Sequence, residues 1–205
     1  RVALAALFTP LSLAPPPALS ATLEEVVVTA TRREAGLQDT GISVTALSAE
    51  NLEAMNIVDT ELLTQVTPGL MFQNGGGSPL VGLVSIRGVS QNDFAGHIES
   101  PNALYIDEFY QSSISTNSIK LYDMDRVEIL RGPQGTLFGR NATGGLVHLI
   151  TRKPTEEFEG YLQGSIGDYD SYTAQGAISG AVTEQLAARF SFYRSEADGF
   201  LENEI

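Results

Sequence analysis

Glycines recur between two strand-like apolar runs in residues 126–154, which read RVEILRGPQGTLFGRNATGGLVHLITRKP. They are Gly132, Gly135, Gly139, Gly144 and Gly145. A strand followed by a glycine loop can cradle a phosphate, because backbone N–H groups at a helix N-terminus bind anions. The nucleotide-binding form needs a Lys directly after the second glycine of GxxxxGK[ST], and none of these glycines is directly followed by a Lys. The segment is therefore predicted to use its glycines for turns and close packing.

Other residues with catalytic or metal-binding chemistry are scattered along the chain. A single His97 is more typical of a surface histidine than of a haem ligand, and His148 is predicted to pack within a strand. Asp107 and Glu108 are neighbours on a predicted strand, so their side chains point to opposite faces and make a poor calcium site. No motif groups a nucleophile with a base. We expect no catalytic residue, no metal site and no cofactor, and hence no enzyme.

Composition excludes several classes of protein. The chain has 205 residues, enough for one domain and a remainder, and 42% of them are hydrophobic. Its net charge of −13 without a basic block argues against nucleic acid, because phosphate neutralisation needs clustered Lys and Arg. The absence of Cys excludes thiolate sites. The chain begins with Arg1, an apolar run and small residues, which predicts a trimmed chain carrying the end of a secretory signal, and a disordered Pro-rich leader is the alternative.

The middle of the chain carries an α+β pattern from Ile42 onward. Short strands are predicted at residues 42–47, 83–88, 103–109, 127–132 and 146–151. Ser48 is predicted to cap a helix that runs to Met55, and a second short helix starts at Asp59 or Thr60. Long polar connections are predicted at residues 73–82, 90–102 and 110–118. This pattern favours a small mixed sheet with short helices and long loops.

The last part of the chain alternates between apolar and polar residues. Three consecutive runs, residues 158–167, 171–182 and 186–192, follow period two, and a tight turn at residues 183–185 joins the last two runs. Such runs are typical of transmembrane β-barrel hairpins. A half-buried antiparallel sheet of a soluble protein alternates too, so alternation alone leaves both alternatives open.

Residues 126–154 resemble the hallmark of the plug domain in TonB-dependent outer-membrane receptors. The resemblance extends upstream through VTPGL at residues 66–70, IRG at 86–88 and YIDEF at 105–109. It implies an α+β plug followed by the first antiparallel strands of a transmembrane β-barrel that is truncated here. The implied domains are a signal-peptide remnant (1–21), a TonB box with its linker (22–37), the plug (38–155) and the first three strands of an incomplete barrel (156–205).

The segment EEVVVTA at residues 24–30 resembles the TonB box of this family. Such a box pairs as an added strand with the periplasmic protein TonB, and main-chain hydrogen bonds supply the affinity. An edge strand of the plug sheet is the structural alternative. The resemblance implies that the TonB-binding residues are Glu25, Val26, Val27, Val28, Thr29 and Ala30.

The resemblance also implies two further sets of site residues. Arg87 and Arg131, with Glu128 nearby, are expected to form a plug–barrel ionic lock, and solvated arginines at loop ends are the alternative. The outward plug loops are expected to meet the ligand through Gln73, Asn74, Gln91, Asn92, Asp93, Phe94, His97, Tyr110, Gln111 and Ser112.

The function implied is active transport of a scarce ligand, most commonly an iron–siderophore complex, across the bacterial outer membrane. The expected partners are TonB with its inner-membrane energising complex, the ligand and outer-membrane lipid, with no nucleic acid. The plug would lie inside the barrel with its N-terminus in the periplasm. The rival is a secreted soluble α+β binding module without a membrane role, and an enzyme with a glycine-rich anion site ranks third.

Overall fold

A computed structural model describes residues 27–29, 32, 35–37, 40–75, 81–91, 93 and 98–198. No helix in this described part is long and apolar enough to cross a membrane. The strands are β1 (Val27–Val28), β2 (Ala35–Gly36), β3 (Ser43–Ser48), β4 (Leu70–Asn74), β5 (Gly82–Ile86), β6 (Asn102–Ile106), β7 (Phe109–Gln111), β8 (Met124–Arg131), β9 (Gly145–Thr151), β10 (Glu159–Ile166), β11 (Tyr172–Thr183) and β12 (Leu186–Glu196). The helices are α1 (Ala49–Ala54) and α2 (Gly135–Phe138), with 3-10 turns at Glu61–Gln65 and Ile114–Thr116.

A five-stranded mixed sheet forms the centre of the fold. Its strand order is β3-β8-β9-β6-β7. β8 runs antiparallel to β3 and β9, whereas β6 runs parallel to β9. The predicted mixed sheet with short helices is confirmed.

The sheet is buried on both faces, because different apolar layers cover them. On one face Val147 and Leu149 pack with α1 and the first 3-10 turn in a single core cluster. On the other face the sheet contributes Ala103, Tyr105, Leu130 and Leu146, and Val28 and Phe138 cover them. We call this second surface the N-terminal face.

Two polar residues start the helical elements as the sequence predicts. The Ser48 side chain accepts a hydrogen bond from the Asn51 backbone N–H at 3.3 Å. Asp59 Oδ1 accepts one from the Leu62 N–H at 3.1 Å. These oxygens satisfy N–H groups that the first turn leaves unpaired.

Two of the differences between the structure and the predicted elements depend on a distant partner. β4 occupies residues that include the start of a predicted loop, because it pairs antiparallel with β5. The predicted strand 103–109 is broken at Asp107, whose φ is 52°. Asp107 turns the chain from β6 into β7, and its Oδ1 accepts a hydrogen bond from the Thr151 N–H at 2.9 Å. The prediction of one continuous strand was wrong, because this carboxylate stabilises a turn there.

β10, β11 and β12 form a separate antiparallel sheet, which we call the outer sheet. The three predicted alternating runs and their turn are confirmed. Ile178 pairs with Gly160 and Phe190, so apolar residues of all three strands share one face. Ile178 is 55% exposed, whereas its neighbour Ser179 on the opposite face is 3% exposed. The apolar face is therefore uncovered, and the polar face is directed toward the rest of the protein.

Candidate functional site: the N-terminal segment and the sheet face beneath it

The described residues between 27 and 37 form a small hairpin on the N-terminal face, which we call the N-terminal segment. β1 pairs antiparallel with β2, with Val27 opposite Gly36 and Val28 opposite Ala35. The Val28 side chain is fully buried in the apolar cluster beneath it. Of the predicted TonB box, Glu25, Val26 and Ala30 lie outside the described residues.

A buried carboxylate holds this segment by hydrogen bonds. Glu128 lies on β8 and is completely buried. Its Oε1 accepts hydrogen bonds from the Thr29 N–H at 2.8 Å and the Thr29 hydroxyl at 3.1 Å. Arg126 Nε donates to the same oxygen at 2.8 Å. Hydrogen bonds to an ionised group are stronger than neutral ones, so this cluster is the principal polar attachment of Thr29.

The charge of Arg126 is secured by its partner. Burial by itself would lower the pKa of this guanidinium, but the hydrogen bonds to Glu128 and Asp125 and the charges of these two carboxylates together outweigh burial and raise the pKa. Arg126 therefore remains a cation, and it meets the requirement that a buried carboxylate be paired.

Arg32, three residues after Thr29, provides a second contact between the N-terminal segment and the N-terminal face. Its guanidinium carbon lies 5.1 Å from the centre of the Phe138 ring, within the range of a cation–π contact. Among the described residues, Arg32 also pairs with the Glu108 carboxylate at 3.9 Å. This carboxylate is mostly exposed, so the ion pair contributes little.

The residues of the predicted ionic lock do not form one group. Arg87 and Arg131 both contact the turn at Pro68 and Gly69, where the Arg87 N–H donates to the Gly69 carbonyl at 2.7 Å and Arg131 Nη1 donates to the Pro68 carbonyl at 3.3 Å. Arg131 Nε is buried without a hydrogen-bond partner among the described residues. Glu128 instead contacts Thr29 and Arg126. A lock between the two arginines and a carboxylate elsewhere remains a prediction.

A different ion pair, which the sequence analysis missed, joins the central sheet region to the outer sheet. Arg189 on β12 donates through Nε and Nη2 to the two carboxylate oxygens of Asp123, at 2.8 and 2.5 Å. Both side chains are only 5% exposed. The rings of Tyr122 and Tyr193 also stack, with their centroids 5.4 Å apart. In the sequence, the signal for this ion pair was that Arg189 lies on the polar side of an alternating run. That signal did not identify Asp123 as the partner of Arg189.

The structure describes seven of the ten predicted ligand-contact residues, and it does not describe Asn92, Phe94 and His97. The seven are Gln73 and Asn74 on β4, Tyr110 and Gln111 on β7, and Gln91, Asp93 and Ser112 in connections. Burial is the main cause that raises the pKa of Tyr110, whose hydroxyl oxygen accepts a hydrogen bond from Asn141 at 2.9 Å. The role of these residues in ligand contact remains a prediction.

The glycine segment folds back on itself instead of presenting free N–H groups. The Gly132 N–H donates to the Gly144 carbonyl and the Gln134 N–H donates to the Ala142 carbonyl, both at 2.8 Å. The helix that follows, α2, is four residues long. Because these amides are already paired and the helix is short, the loop is a poor phosphate cradle.

Gly145 shows why this segment needs glycine. Its φ is +152°, and an added Cβ would lie 2.2 Å from the Leu130 carbonyl oxygen. We expect Gly145→Ala to lower the free energy of unfolding by about 2–4 kcal/mol, from backbone strain and overpacking. Gly135→Ala is the matched control, because its Cβ would meet nothing within 4 Å. Thermal melting followed by circular dichroism measures both, and equal melting temperatures would contradict this account.

A cavity of about 580 Å³ with a mixed polar and apolar lining separates α1 from the polar face of the outer sheet. Its lining includes Glu53, Arg152, Tyr161, Gln163 and Gln175. Among the described residues, no group of three or more His, Asp or Glu side chains is placed to hold a metal ion.

Comparison with known proteins decides the family. Residues 36–146 match the model of the TonB-dependent receptor plug domain. The chain belongs to the TonB-dependent receptors. Its plug contains the central sheet, and the outer sheet corresponds to the early barrel strands of this family.

Individual relatives agree with this assignment. The chain is 36% identical over 164 residues to the pesticin receptor of Yersinia pestis, a match that covers 78% of this chain and 24% of that receptor. The crystal structure of the ferric yersiniabactin uptake receptor FyuA from Yersinia pestis is similar with a TM-score of 0.68 and 33% identity, over 76% of this chain and 24% of that one. The pyoverdine receptor FpvA of Pseudomonas aeruginosa PAO1, bound to pyoverdine, shares the fold with a TM-score of 0.70 at 22% identity, over 85% of this chain and 25% of that one. This chain thus spans about a quarter of the length of these receptors.

Proposed function

We propose that this chain is the plug and first barrel strands of an outer-membrane receptor that imports a ferric siderophore with energy delivered through TonB. The observation that carries the proposal is the N-terminal segment, a short strand held on the plug by side-chain contacts. Because it is extended and lies just before residues that match the plug model, it suits an added-strand partner. The receptor is a transporter and not an enzyme.

The choice of a ferric siderophore rests on the similar proteins. FyuA is described as a ferric yersiniabactin uptake receptor, and FpvA was solved with pyoverdine. A vitamin B12 transporter of Vibrio vulnificus is also similar, at 24% identity over 204 residues, which makes cobalamin the second candidate. The exposed side chains of Gln73, Asn74 and Ser112 would contribute polar contacts to either ligand.

In the proposed mechanism, residues 24–30 and the Asp123–Arg189 ion pair have separate roles. Ligand contact on the outward loops favours release of residues 24–30 into the periplasm, where TonB adds a strand to them and pulls. The buried Asp123–Arg189 pair keeps the adjoining part of the plug on the barrel wall.

The uncovered face of the outer sheet supports a location in the outer membrane. It carries exposed apolar side chains, which are Phe158, Leu162, Ile166, Tyr172, Ile178, Val182, Leu186, Phe190 and Phe192. Apolar patches of this kind mark contact with lipid or another protein. We propose that they face lipid, with the plug inside the barrel and the N-terminus in the periplasm.

This lipid assignment predicts a difference between two positions on β11. Ile178→Arg should cost about 2–4 kcal/mol if it lies near the bilayer midplane. Gln175→Arg, on the polar face where Gln175 donates to Gln163 at 2.8 Å, should cost much less. Folding of both receptor variants into lipid vesicles measures the difference. Equal costs would favour the soluble-module rival.

Growth of a deletion strain tests the transport function. Cells that lack the gene should fail to grow on at least one ferric siderophore as the iron source, and the intact gene should restore growth. The same growth comparison is made in parallel with cobalamin and with glycans as the sole supplements. If growth is unchanged on every siderophore but impaired on cobalamin, the ligand is cobalamin and not a ferric siderophore. The proposal that the protein is a transporter would still hold.

A further inference from the structure

We propose that Asn117 is a positioning residue that sets the spacing of two loops of the plug that contact the imported ligand. The first loop comprises residues 73–82 and the second loop residues 110–118. Together they carry five of the predicted ligand-contact residues, which are Gln73, Asn74, Tyr110, Gln111 and Ser112. The inference rests on the proposed function, because it takes these five residues as contacts of that ligand. Asn117 is not one of them, since it is buried in the plug.

The Asn117 side chain joins the second loop to the base of the first loop. Its Nδ2 donates a buried hydrogen bond to the Gly82 carbonyl at 2.7 Å. Gly82 lies directly opposite Asn74 in the pairing of β4 with β5. A shift of Gly82 relative to Asn117 therefore also moves Asn74, which is exposed at the end of β4.

The two loops approach each other as closely as a glycine allows. A Cβ added at Gly82 would lie 2.9 Å from the Asn117 Cβ and 3.1 Å from the Ser118 backbone nitrogen. Non-bonded atoms of side chains do not pack so closely, so a larger residue at position 82 would push the loops apart. The Asn117–Gly82 hydrogen bond opposes separation of the loops, and this contact opposes a closer approach. The spacing is therefore fixed in both directions.

The backbone of Asn117 is held by the plug core. The buried Thr60 hydroxyl donates to the Asn117 carbonyl at 2.7 Å and accepts a hydrogen bond from the Ile119 N–H at 3.1 Å. The Asn117 N–H donates to the Ile114 carbonyl at 3.3 Å, at the end of the short 3-10 turn that begins two residues after Ser112. Because this backbone is fixed to the core, the side chain of Asn117 gives Gly82 a defined position.

A fixed spacing of the loops increases the affinity for a ligand that contacts both of them. Ordering a loop during binding costs free energy, so contacts that are already held at the required distance bind more tightly. Asn74 lies on the first loop and Ser112 on the second, and a ligand that bridges them depends on the distance between them. We therefore expect Asn117 to influence affinity without contacting the ligand.

The first test measures the spacing of the loops without a ligand. The chain contains no Cys, so Asn74→Cys and Ser112→Cys supply two thiols for nitroxide labels in a full-length receptor that carries no other thiol. Double electron–electron resonance gives the distribution of distances between the labels. Asn117→Ala removes the amide and should broaden this distribution. Gly82→Ala keeps the amide and should lengthen the mean distance, because its Cβ displaces Asn117.

The second test measures the affinity of the unlabelled full-length receptor for the ferric siderophore, or the cobalamin, that restores growth of the deletion strain. Asn117→Ala and Gly82→Ala should each lower this affinity about tenfold, because both alter the distance between contacts. Uptake at saturating ligand should stay close to that of the unmodified receptor.

Thr60→Val is the matched control for both tests. It removes two hydrogen bonds of the same network but leaves the Asn117–Gly82 bond in place. The backbone bond from the Thr60 N–H to the Ile119 carbonyl, at 3.0 Å, also remains. We expect a lower melting temperature for this variant, with an unchanged distance distribution and unchanged affinity.

The outcomes separate the positioning role of Asn117 from the proposed function. Unchanged distance distributions in both Asn117→Ala and Gly82→Ala would overturn the positioning role. An equal loss of affinity in Asn117→Ala and Thr60→Val would overturn it too, since general destabilisation would then be the cause. Altered distributions in a receptor that restores growth on no siderophore and no cobalamin would establish that Asn117 spaces the loops and would overturn the proposed function. Altered distributions with lower affinity in Asn117→Ala but not in Thr60→Val support both.

Discussion

Val27→Pro is expected to stop siderophore uptake while surface binding of the siderophore continues. Proline removes the main-chain N–H and restricts φ to about −65°, so an added strand loses a hydrogen bond at the centre of the TonB-binding residues. Binding at the outward loops uses other parts of the plug and is unaffected. The measurement is accumulation of radioactive iron, supplied with the siderophore that restores growth, compared with iron bound by de-energised cells.

Val27→Ala is the control for this prediction. It keeps the main-chain N–H and removes only side-chain bulk, so accumulation should stay close to that of the unmodified receptor. Normal accumulation by the Pro variant would exclude residues 24–30 as a strand that TonB pulls. Loss of surface binding in the Pro variant would instead indicate that the plug had misfolded.

Arg189→Met is expected to produce the largest loss of stability among the substitutions considered. Asp123 is 5% exposed, and removal of Arg189 would leave its carboxylate buried without a guanidinium partner. Breaking a buried ion pair in this way typically costs about 3–5 kcal/mol. Thermal unfolding of the receptor in detergent, followed by circular dichroism, measures the loss. In cells the same variant should reach the outer membrane at reduced abundance.

Two further variants show whether the unpaired charge is the cause. Arg194→Met removes an arginine of the same strand whose side chain is 66% exposed, and it should cost less than about 1 kcal/mol. Asp123→Asn suits the φ of 53° at this position, because Asn tolerates left-handed backbone. Combined with Arg189→Met it should recover much of the lost stability. A simple sum of the two single losses would show that the pair is not coupled.

The element types of this protein were largely predictable from the sequence, because the signals that specify them are local. Ser48 and Asp59 accept hydrogen bonds from N–H groups three residues further along, as the sequence indicated. The alternation in residues 158–192 is a property of neighbouring residues, and it predicted the three strands of the outer sheet. The glycine segment was also correctly expected to serve turns and close packing, as Gly145 shows.

Elements that depend on a distant partner were missed or misplaced. β4 exists because β5 pairs with it, and its own burial pattern does not alternate. The turn at Asp107 depends on a hydrogen bond to Thr151, a residue 44 positions away. Neither feature has a signal within its own few residues.

For the candidate site, the sequence by itself determined that residues 24–30 favour an extended strand and that residues 126–154 form a glycine-rich turn between strands. Only the tertiary structure decided that Glu128 contacts Thr29, although the sequence had suggested that it lay near Arg87 and Arg131. It likewise decided that Arg189 contacts Asp123. Helix and strand propensities and hydrophobic periodicity depend on residues that are close in the sequence. The partner of a buried carboxylate is instead the hydrogen-bond donor that the packing of the sheets brings within about 3 Å of it.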